Sequence, residues 1–297
     1  MKKAQNMPYQ SRTLGAEAWY RFKKNKLALG ALAIFIFLAL MAITTIIIDL
    51  VTNNSFYDKY VISQDLLQRL QPPSKEHVLG MDEFGRDILL RIIWGTRYSL
   101  FMGAFAVLGA SVLGGIIGAV AGYYNMMDTV LMRIMDVFLA IPTTLLAVAI
   151  VAAMGPSLVN VVLAIAISQT PTFARVIRAQ VLTIKDQEYI EASRCIGESN
   201  FGIILHHVFP NVLAPIIVQA TLGVGTAIIL AASLSFLGLG VQPPTPEWGS
   251  MLSMARTYMR DYPYMVIFPG LAIMVTVLAL NLFGDGLRDA LDPKLKK

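Results

Sequence analysis

Long apolar runs separated by short charged segments dominate this sequence. The 24 Lys and Arg and the 19 Asp and Glu all fall outside five windows, which cover 27–48, 99–127, 137–174, 199–246 and 262–284. A helix needs about 20 apolar residues to cross the hydrocarbon core of a bilayer. The pattern predicts an all-α integral membrane protein with six transmembrane helices. We expect them at 27–50, 99–122, 137–154, 157–174, 211–239 and 263–284.

Composition supports a membrane location and excludes two other classes. Only 14% of the residues are charged, with a mean hydropathy of +0.62, whereas a soluble domain carries roughly 25% charged residues. The net charge of +5 comes from basic residues at membrane edges, so we expect the lipid bilayer as a partner and no nucleic acid. We expect no cleavable signal peptide, because the tail before Leu27 is polar, and we expect the first span to stay in place.

Basic residues predict the orientation. Seven of them precede Leu27. If that tail is cytoplasmic, the segments 123–136, 175–210 and 285–297 are cytoplasmic too. These four segments together hold 16 of the 24 Lys and Arg. Loops that are rich in Lys and Arg remain cytoplasmic. We therefore expect both termini in the cytoplasm, and external segments at 51–98 and 240–262. The stretch 87–94 in the first of these has one apolar face and is expected to lie on the membrane surface.

Two features describe the predicted spans themselves. Ala110, Gly114, Gly118 and Gly122 recur every four residues, which favours close helix packing. The polar groups inside the spans are neutral, and three of them recur every seven residues. They either line a solute path or hydrogen-bond to a neighbouring helix, and we leave both open. The candidate path residues are Gln169, Gln219, Thr226 and Ser233.

The chain lacks residues for driving transport by itself or for catalysis. Carriers that use ion gradients usually need ionisable groups within their spans, and none lies near a span midpoint. A phosphate-binding loop requires a Gly-Lys pair, which the sequence does not contain. His206 and His207 are adjacent and point about 100° apart on a helix, which disfavours a shared metal. We expect no enzyme, no catalytic residue, no metal and no bound cofactor; a gradient-driven carrier and an intramembrane hydrolase remain rivals.

The segment 188–210 is the candidate docking surface. Residues 188–196 favour a helix that Gly197 would end, and Ser199 or Asn200 would cap a second short helix. Phe201, Ile204, Leu205 and Val208 would share one side of it. The segment is either a knob for a groove on a partner protein or an amphipathic loop on lipid headgroups.

Three motifs resemble one family. Glu191-Ala192-Ser193, followed by Gly197 and Pro210, resembles the EAA loop of ABC-importer permeases, with Ser193 where a second alanine is usual. His207, the stretch from Gly80 to Asp87, and the stretch from Ser235 to Gly249 are similar to the peptide and nickel branch. The resemblance implies that a coupling loop, 175–210, docks on the ATPase. Its implied coupling residues are Glu188, Glu191, Ala192, Ser193, Gly197, Phe201, Ile204, His207 and Pro210.

The same resemblance implies an assembly in a bacterial inner membrane. A second permease, two cytoplasmic ATPases that hold ATP and Mg, and an extracytoplasmic solute-binding protein would complete an importer of di- or oligopeptides, with nickel chelates or glutathione as alternatives. Residues 1–75 would form a tail, a first span and a loop, and residues 76–297 a five-helix core. Arg86 and Asp87 could instead serve an intraloop salt bridge or helix cap. The implied binding-protein contacts are Asp82, Arg86, Asp87 and Trp248.

Overall fold

The structure, a computed structural model, describes residues 14–291 and contains only helices and loops over that range, apart from one isolated bridge between Met81 and Asp87. The helices are α1 (Leu14–Lys24), α2 (Lys26–Val51), α3 (Ile88–Tyr123), α4 (Asn125–Leu139), α5 (Thr143–Met154), α6 (Leu158–Ile184), α7 (Glu188–Cys195), α8 (Asn200–Ile203), α9 (Phe209–Phe236), α10 (Trp248–Ala255) and α11 (Tyr264–Leu291).

Five described helices are long and apolar enough to cross a bilayer, namely α2, α3, α6, α9 with its N-terminal extension, and α11. The bent pair of α4 and α5, with 87° between its two parts, provides a sixth crossing if it counts as one span. The all-α membrane fold is thus confirmed. Six of the basic residues assigned to the cytoplasm lie outside the described residues: Lys2, Lys3, Arg12, Lys294, Lys296 and Lys297.

Helix α3 corrects one prediction. The stretch 87–94 is not a separate surface helix, because α3 begins at Ile88 and continues unbroken to Tyr123. Trp94 is buried and donates from Nε1 to Asp49 at 3.0 Å, and Arg97 pairs with the same carboxylate at 2.5 Å. The apolar face that suggested a surface segment belongs instead to the first turns of a spanning helix.

The predicted small-residue face of α3 packs directly on α6. A Cβ at Gly114 would lie 2.5 Å from the Cβ of Phe173, and one at Gly118 would lie 2.5 Å from the carbonyl oxygen of Ala174. Only glycine permits this approach of the two backbones, which is the arrangement that small residues at four-residue spacing favour. The close packing of this face is confirmed.

Other predicted spans also differ in their bounds from the observed helices. The third is broken at 140–142, since Pro142 precedes α5 and cannot continue α4. The fourth does not end near residue 174 but continues as α6 to Ile184, with Pro171 inside. The last continues to Leu291. The spans therefore extend beyond the uncharged windows, because ion pairs such as Arg175–Asp136, with 2.7 Å between nitrogen and oxygen, join neighbouring helices near their ends.

Candidate functional site

Residues 188–210, here called the knob, form two short helices joined at a glycine. Helix α7 ends at Cys195, and Gly197 adopts φ +86°, a conformation that glycine takes without the penalty a Cβ imposes. The side chain of Ser199 accepts a hydrogen bond from the Gly202 amide and caps α8. The glycine stop and the serine cap predicted from the sequence are both confirmed.

The knob has an exposed apolar tip on a buried base. Ile196 is 82% exposed and Phe201 is 74% exposed, whereas Ile190, Ile203 and Val208 are fully buried in the main core. The base thus fixes a tip that no described residue covers.

The predicted apolar side of the second helix is divided between tip and base. Phe201 and Leu205 face outward, Val208 is buried, and Ile204 packs partly on the core. The anchor Ile203 is not among the predicted residues, although its apolar character was visible in the sequence. The lone cysteine, Cys195, is exposed. The other predicted coupling residues divide by burial, with Ser193 buried, His207 half-buried, and Glu188, Glu191, Ala192 and Pro210 exposed.

The knob joins the fifth span without a break, which corrects the predicted start of that span near residue 211. A π-helical turn over Ile204–Val208 connects α8 to α9, so that one helical stretch extends from Asn200 to Phe236. Pro210 has no amide hydrogen to donate, and the wider turn before it is the usual way in which a helix accommodates such an irregularity. The end of the knob and α9 are therefore parts of one continuous helical stretch.

A polar cluster closes the knob on itself. The Glu198 carboxylate lies 2.8 Å from His207 Nε2 and 3.4 Å from His206 Nδ1. Ser193 Oγ lies 3.3 Å from His207 Nε2 and donates to the Tyr189 carbonyl oxygen at 3.0 Å. The hydrogen bond from His207 lowers the pKa of Glu198. This cluster links α7 to the turn before α9 across the glycine joint.

A second set of contacts joins the knob to the end of α3. Tyr123 donates from its hydroxyl to Asn200 at 2.8 Å, and the Arg194 guanidinium lies 5.4 Å from the centre of the Tyr123 ring. Lys185, just after α6, contacts Asn125 at 2.8 Å. The first two contacts join the knob to α3, and the third joins the end of α6 to α4.

The four candidate path residues line one cleft. It has a volume of about 420 Å³ between α5, α6 and α9, and no lining side chain carries a charge. The spacing of seven brings three of them to the same side of α9, and α6 adds Gln169. The lining also includes three threonines that sequence reasoning missed, Thr143, Thr144 and Thr172. Hydroxyl and amide groups on an otherwise apolar wall can exchange hydrogen bonds with a small polar solute.

At the opposite end of the helices, residues 63–87 and 240–258 form a loop platform with charges in its interior. Asp82 accepts from the backbone amides of Phe84 and Arg86 and pairs with Arg86 Nε at 2.6 Å. Arg91 donates to the carbonyl oxygens of Val61 and Pro244 and lies 3.5 Å from Asp82. Arg91 thus joins three separate segments, at Val61, Asp82 and Pro244. Both arginines are buried.

Trp248 occupies a slot against α3. The ring packs so closely on α3 that a Cβ added at Gly95 would lie 3.0 Å from it. Its Nε1 donates a hydrogen bond to the Ile92 carbonyl oxygen at 3.0 Å. The preceding residue, Glu247, accepts from the Gly249 and Ser250 amides at 2.8 Å and so caps α10. Burial raises the pKa of Glu247.

The four residues expected to touch a binding protein are thus mostly inside the platform. Asp82, Arg86 and Trp248 are buried, so their side chains offer no surface to a docking protein in this conformation. Asp87 is half-buried, caps α3 by accepting from Leu90, and contacts His77 at 3.0 Å. The helix cap anticipated for Asp87 is observed, and the salt bridge of Arg86 is made with Asp82. These residues support the platform, and a docking protein would meet their exposed neighbours.

Known transport proteins resemble this chain in sequence and in fold. The family of binding-protein-dependent transport system inner membrane components matches residues 110–297. The N-terminal transmembrane domain of oligopeptide transport permease C matches residues 13–73. The inward-facing MetNI methionine ABC transporter has a similar fold, with a TM-score of 0.58 at 18% identity over 69% of this chain and 98% of that chain.

Two relatives are similar over nearly their whole length. The dipeptide transport system permease protein DppC of Alkalihalophilus pseudofirmus is 50% identical over 94% of this chain and 90% of its own. The glutathione transport system permease protein GsiD of Pectobacterium atrosepticum is 46% identical over 96% and 93%. The chain is a multi-pass inner-membrane transport subunit, without enzymatic activity of its own, and it belongs to the binding-protein-dependent permeases of ABC importers.

Proposed function

We propose that this permease subunit imports dipeptides or similarly short peptides. The proposal is supported by the 50% identity to a dipeptide permease and by the cleft, whose neutral hydrogen-bonding groups suit a solute with both a positive and a negative end. Glutathione is the second candidate cargo, because permeases for it are 45–46% identical to this chain. The cleft residues Gln169, Gln219, Thr226 and Ser233 would contact the cargo in transit.

The knob is the surface through which ATP hydrolysis on partner subunits would drive that import. One observation carries this proposal: Ile196 and Phe201 are exposed at the tip while Ile190, Ile203 and Val208 are fully buried at its base. An exposed apolar side chain on a fixed support is suited to a hydrophobic groove on another protein. Closure of an ATPase pair would displace the knob, and α9 would transmit the displacement to the cleft.

The remaining parts of the assembly follow the same proposal. A second permease would complete the path, two ATPases would hold ATP and Mg, and a solute-binding protein would dock on the loop platform. Both termini would then lie in the cytoplasm, and the excess of basic residues in the segments assigned to that side supports this orientation. We also propose that residues 1–75 form an added N-terminal unit on a core of residues 76–297; the family match over 13–73 supports this division.

Charged tip variants test the docking role. Ile196→Asp and Phe201→Asp place a carboxylate in the proposed groove contact, so the ATPases should no longer copurify and uptake of a labelled dipeptide should fall more than tenfold. Leu67→Asp is the matched control, because Leu67 is 95% exposed at the opposite end of the helices and should leave copurification unchanged. Normal copurification with both tip variants would refute docking through this surface.

Competition for uptake separates the two cargoes. Unlabelled dipeptide at a hundredfold excess should abolish uptake of the labelled dipeptide, and glutathione at the same excess should leave most of it. Gln219→Leu and Thr226→Val remove hydrogen-bonding groups from the cleft while nearly keeping their volume. Uptake should then fall several-fold without loss of ATPase copurification. The opposite order of competition would assign glutathione as the cargo.

A further inference from the structure

An apolar groove of about 290 Å³ lies between α1, α2 and α11, at the end of the helices that carries the knob. Almost all of its wall is apolar, and Gly15 leaves one part of it open, because a Cβ added at that residue would have nothing within 4 Å. The residues that line it are Gly15, Ala18, Trp19, Phe22, Leu32, Phe283 and Leu287.

The groove extends from the membrane surface into the bilayer. Helix α1 precedes the first spanning helix and is amphipathic, with a lysine pair near its end. Leu32 lies six residues inside α2, which corresponds to about 9 Å at 1.5 Å per residue. A molecule in the groove would therefore have one part at headgroup level and another among the acyl chains.

Aromatic rings make the wall rigid. Trp19 stacks on Phe22 with 5.9 Å between ring centres, and Phe22 meets Phe283 edge-on at 5.7 Å. Trp19 is nevertheless 49% exposed, and the Lys23 ammonium lies 5.1 Å from its ring centre. An amphipathic tryptophan next to a cation is typical of the level where lipid headgroups begin.

The charge at the groove is positive on balance. Residues 15–32 and 283–291 carry five basic and three acidic side chains, and Arg21 already pairs with Glu17. Lys23, Lys24 and Lys26 are all exposed at the junction of α1 and α2. An apolar groove with exposed ammonium groups at its mouth complements a molecule that has an acyl chain and an anionic head.

We propose that this groove binds one acyl chain of an anionic glycerophospholipid, with the phosphate near Lys23. Such a lipid would join α1 to α11 at the membrane surface, at the same end of the helices as the knob. The proposal does not depend on the identity of the cargo or on the docking role of the knob. A different occupant, such as a chain segment outside the described residues, is an outcome of the test below.

Fluorescence quenching by brominated lipids tests the proposal. The full chain and its Trp19→Phe variant are reconstituted into nanodiscs with phosphatidylglycerol or phosphatidylcholine brominated on the acyl chain, and the difference between them gives the Trp19 signal. Trp94 and Trp248 are buried and cancel in that difference. Brominated phosphatidylglycerol should quench Trp19 at a lower mole fraction than brominated phosphatidylcholine does. Lys23→Gln should reduce this preference about fivefold.

A pair of glycine variants separates the groove from the general lipid surface. Gly15→Leu fills the groove and should abolish the preference for phosphatidylglycerol. Gly30→Leu is the control, since Gly30 is exposed on α2, does not line the groove and also has open space at its Cβ position. Equal quenching by the two lipids, unchanged quenching in Gly15→Leu, or no quenching of Trp19 because another segment covers it would each overturn the proposal.

Discussion

The two ends of the helical bundle differ in how they use charge, although both expose apolar side chains, such as Leu67 on the platform and Phe201 on the knob. The loop platform buries Asp82 and Arg86 as an ion pair, and Arg91 of α3 is buried beside the same carboxylate. The knob leaves Ile196 and Phe201 in solvent. A buried charge without its partner is strongly destabilising, whereas an exposed apolar side chain is covered only when another molecule binds. The platform thus pairs its buried charges within the chain, whereas the apolar tip of the knob can be buried only against another molecule.

The orientation of the two ends is the point on which the comparison can be tested most decisively. Cys195 is the only cysteine and is exposed on the knob, so a membrane-impermeant maleimide should label it in inside-out vesicles only. The vesicles are made from cells that produce this chain without the ATPases, so that no bound ATPase covers Cys195. Leu67→Cys, made together with Cys195→Ser, should be labelled in right-side-out vesicles only. Labelling of Cys195 from the outside would reverse the topology.

Removal of one buried charge should have the largest effect on stability. Arg86→Met leaves the Asp82 carboxylate with only the more distant Arg91, so we expect a loss of about 3 kcal/mol in the free energy of unfolding. The measurement is thermal unfolding followed by size-exclusion chromatography in detergent. Arg69→Met, an exposed change in the same platform, should have no comparable effect. Equal stability of the two variants would show that the platform does not depend on its buried ion pair.

Alanine at one glycine in each region separates steric overlap from backbone strain. Gly249→Ala in the platform puts a Cβ 2.6 Å from the Cα of Ala232, and such overpacking costs about 2 kcal/mol. In Gly197→Ala in the knob, the added Cβ has no atom within 4 Å, but the residue must keep φ +86°. That conformation costs about 1 kcal/mol for a residue with a Cβ. Unfolding temperatures give the two losses. A larger loss in the knob would mean that its joint is more constrained than the platform.

The weakest expected effect concerns pH and the polar cluster of the knob. Because the pKa of Glu198 is lowered in the folded chain, its contribution to stability is present above the unfolded value of about 4.5 and is lost as the pH falls through the lower folded value. Glu198→Gln should therefore reduce the unfolding temperature slightly at neutral pH, and the difference should disappear in acid. Glu76→Gln, exposed on the platform, should show no such convergence.

Local signals in the sequence were sufficient to predict how the two helices of the knob are joined. Gly197 and Ser199 act through their own backbone and side chain, so their roles as helix stop and helix cap are visible without any tertiary information. The same holds for the glycine face of α3, which depends only on spacing. The break at Pro142 also had a local signal, but the long uncharged window around it obscured the end of α4.

Contacts between distant residues explain what the sequence did not reveal. The charges at Arg91 and Arg97 suggested that the second span begins after them, yet partners at Asp82 and Asp49 allow both to lie within α3. Similarly, the seven-residue spacing on α9 grouped three cleft residues, whereas the threonines of α5 join them only through the fold. Burial of Asp82 and Trp248 is likewise a tertiary property, and it changes their expected role from contact to support.

The unbroken connection between the knob and α9 has a mechanical consequence. The helical stretch from Asn200 to Phe236 contains 37 residues and is therefore about 55 Å long. A lever of that length amplifies rotation, so that a tilt of about 5° at one end displaces the other by about 5 Å. With Phe236 as the pivot, a partner that moved Asn200 by that amount would displace Gln219, 17 residues from the pivot at 1.5 Å per residue, by about 2 Å.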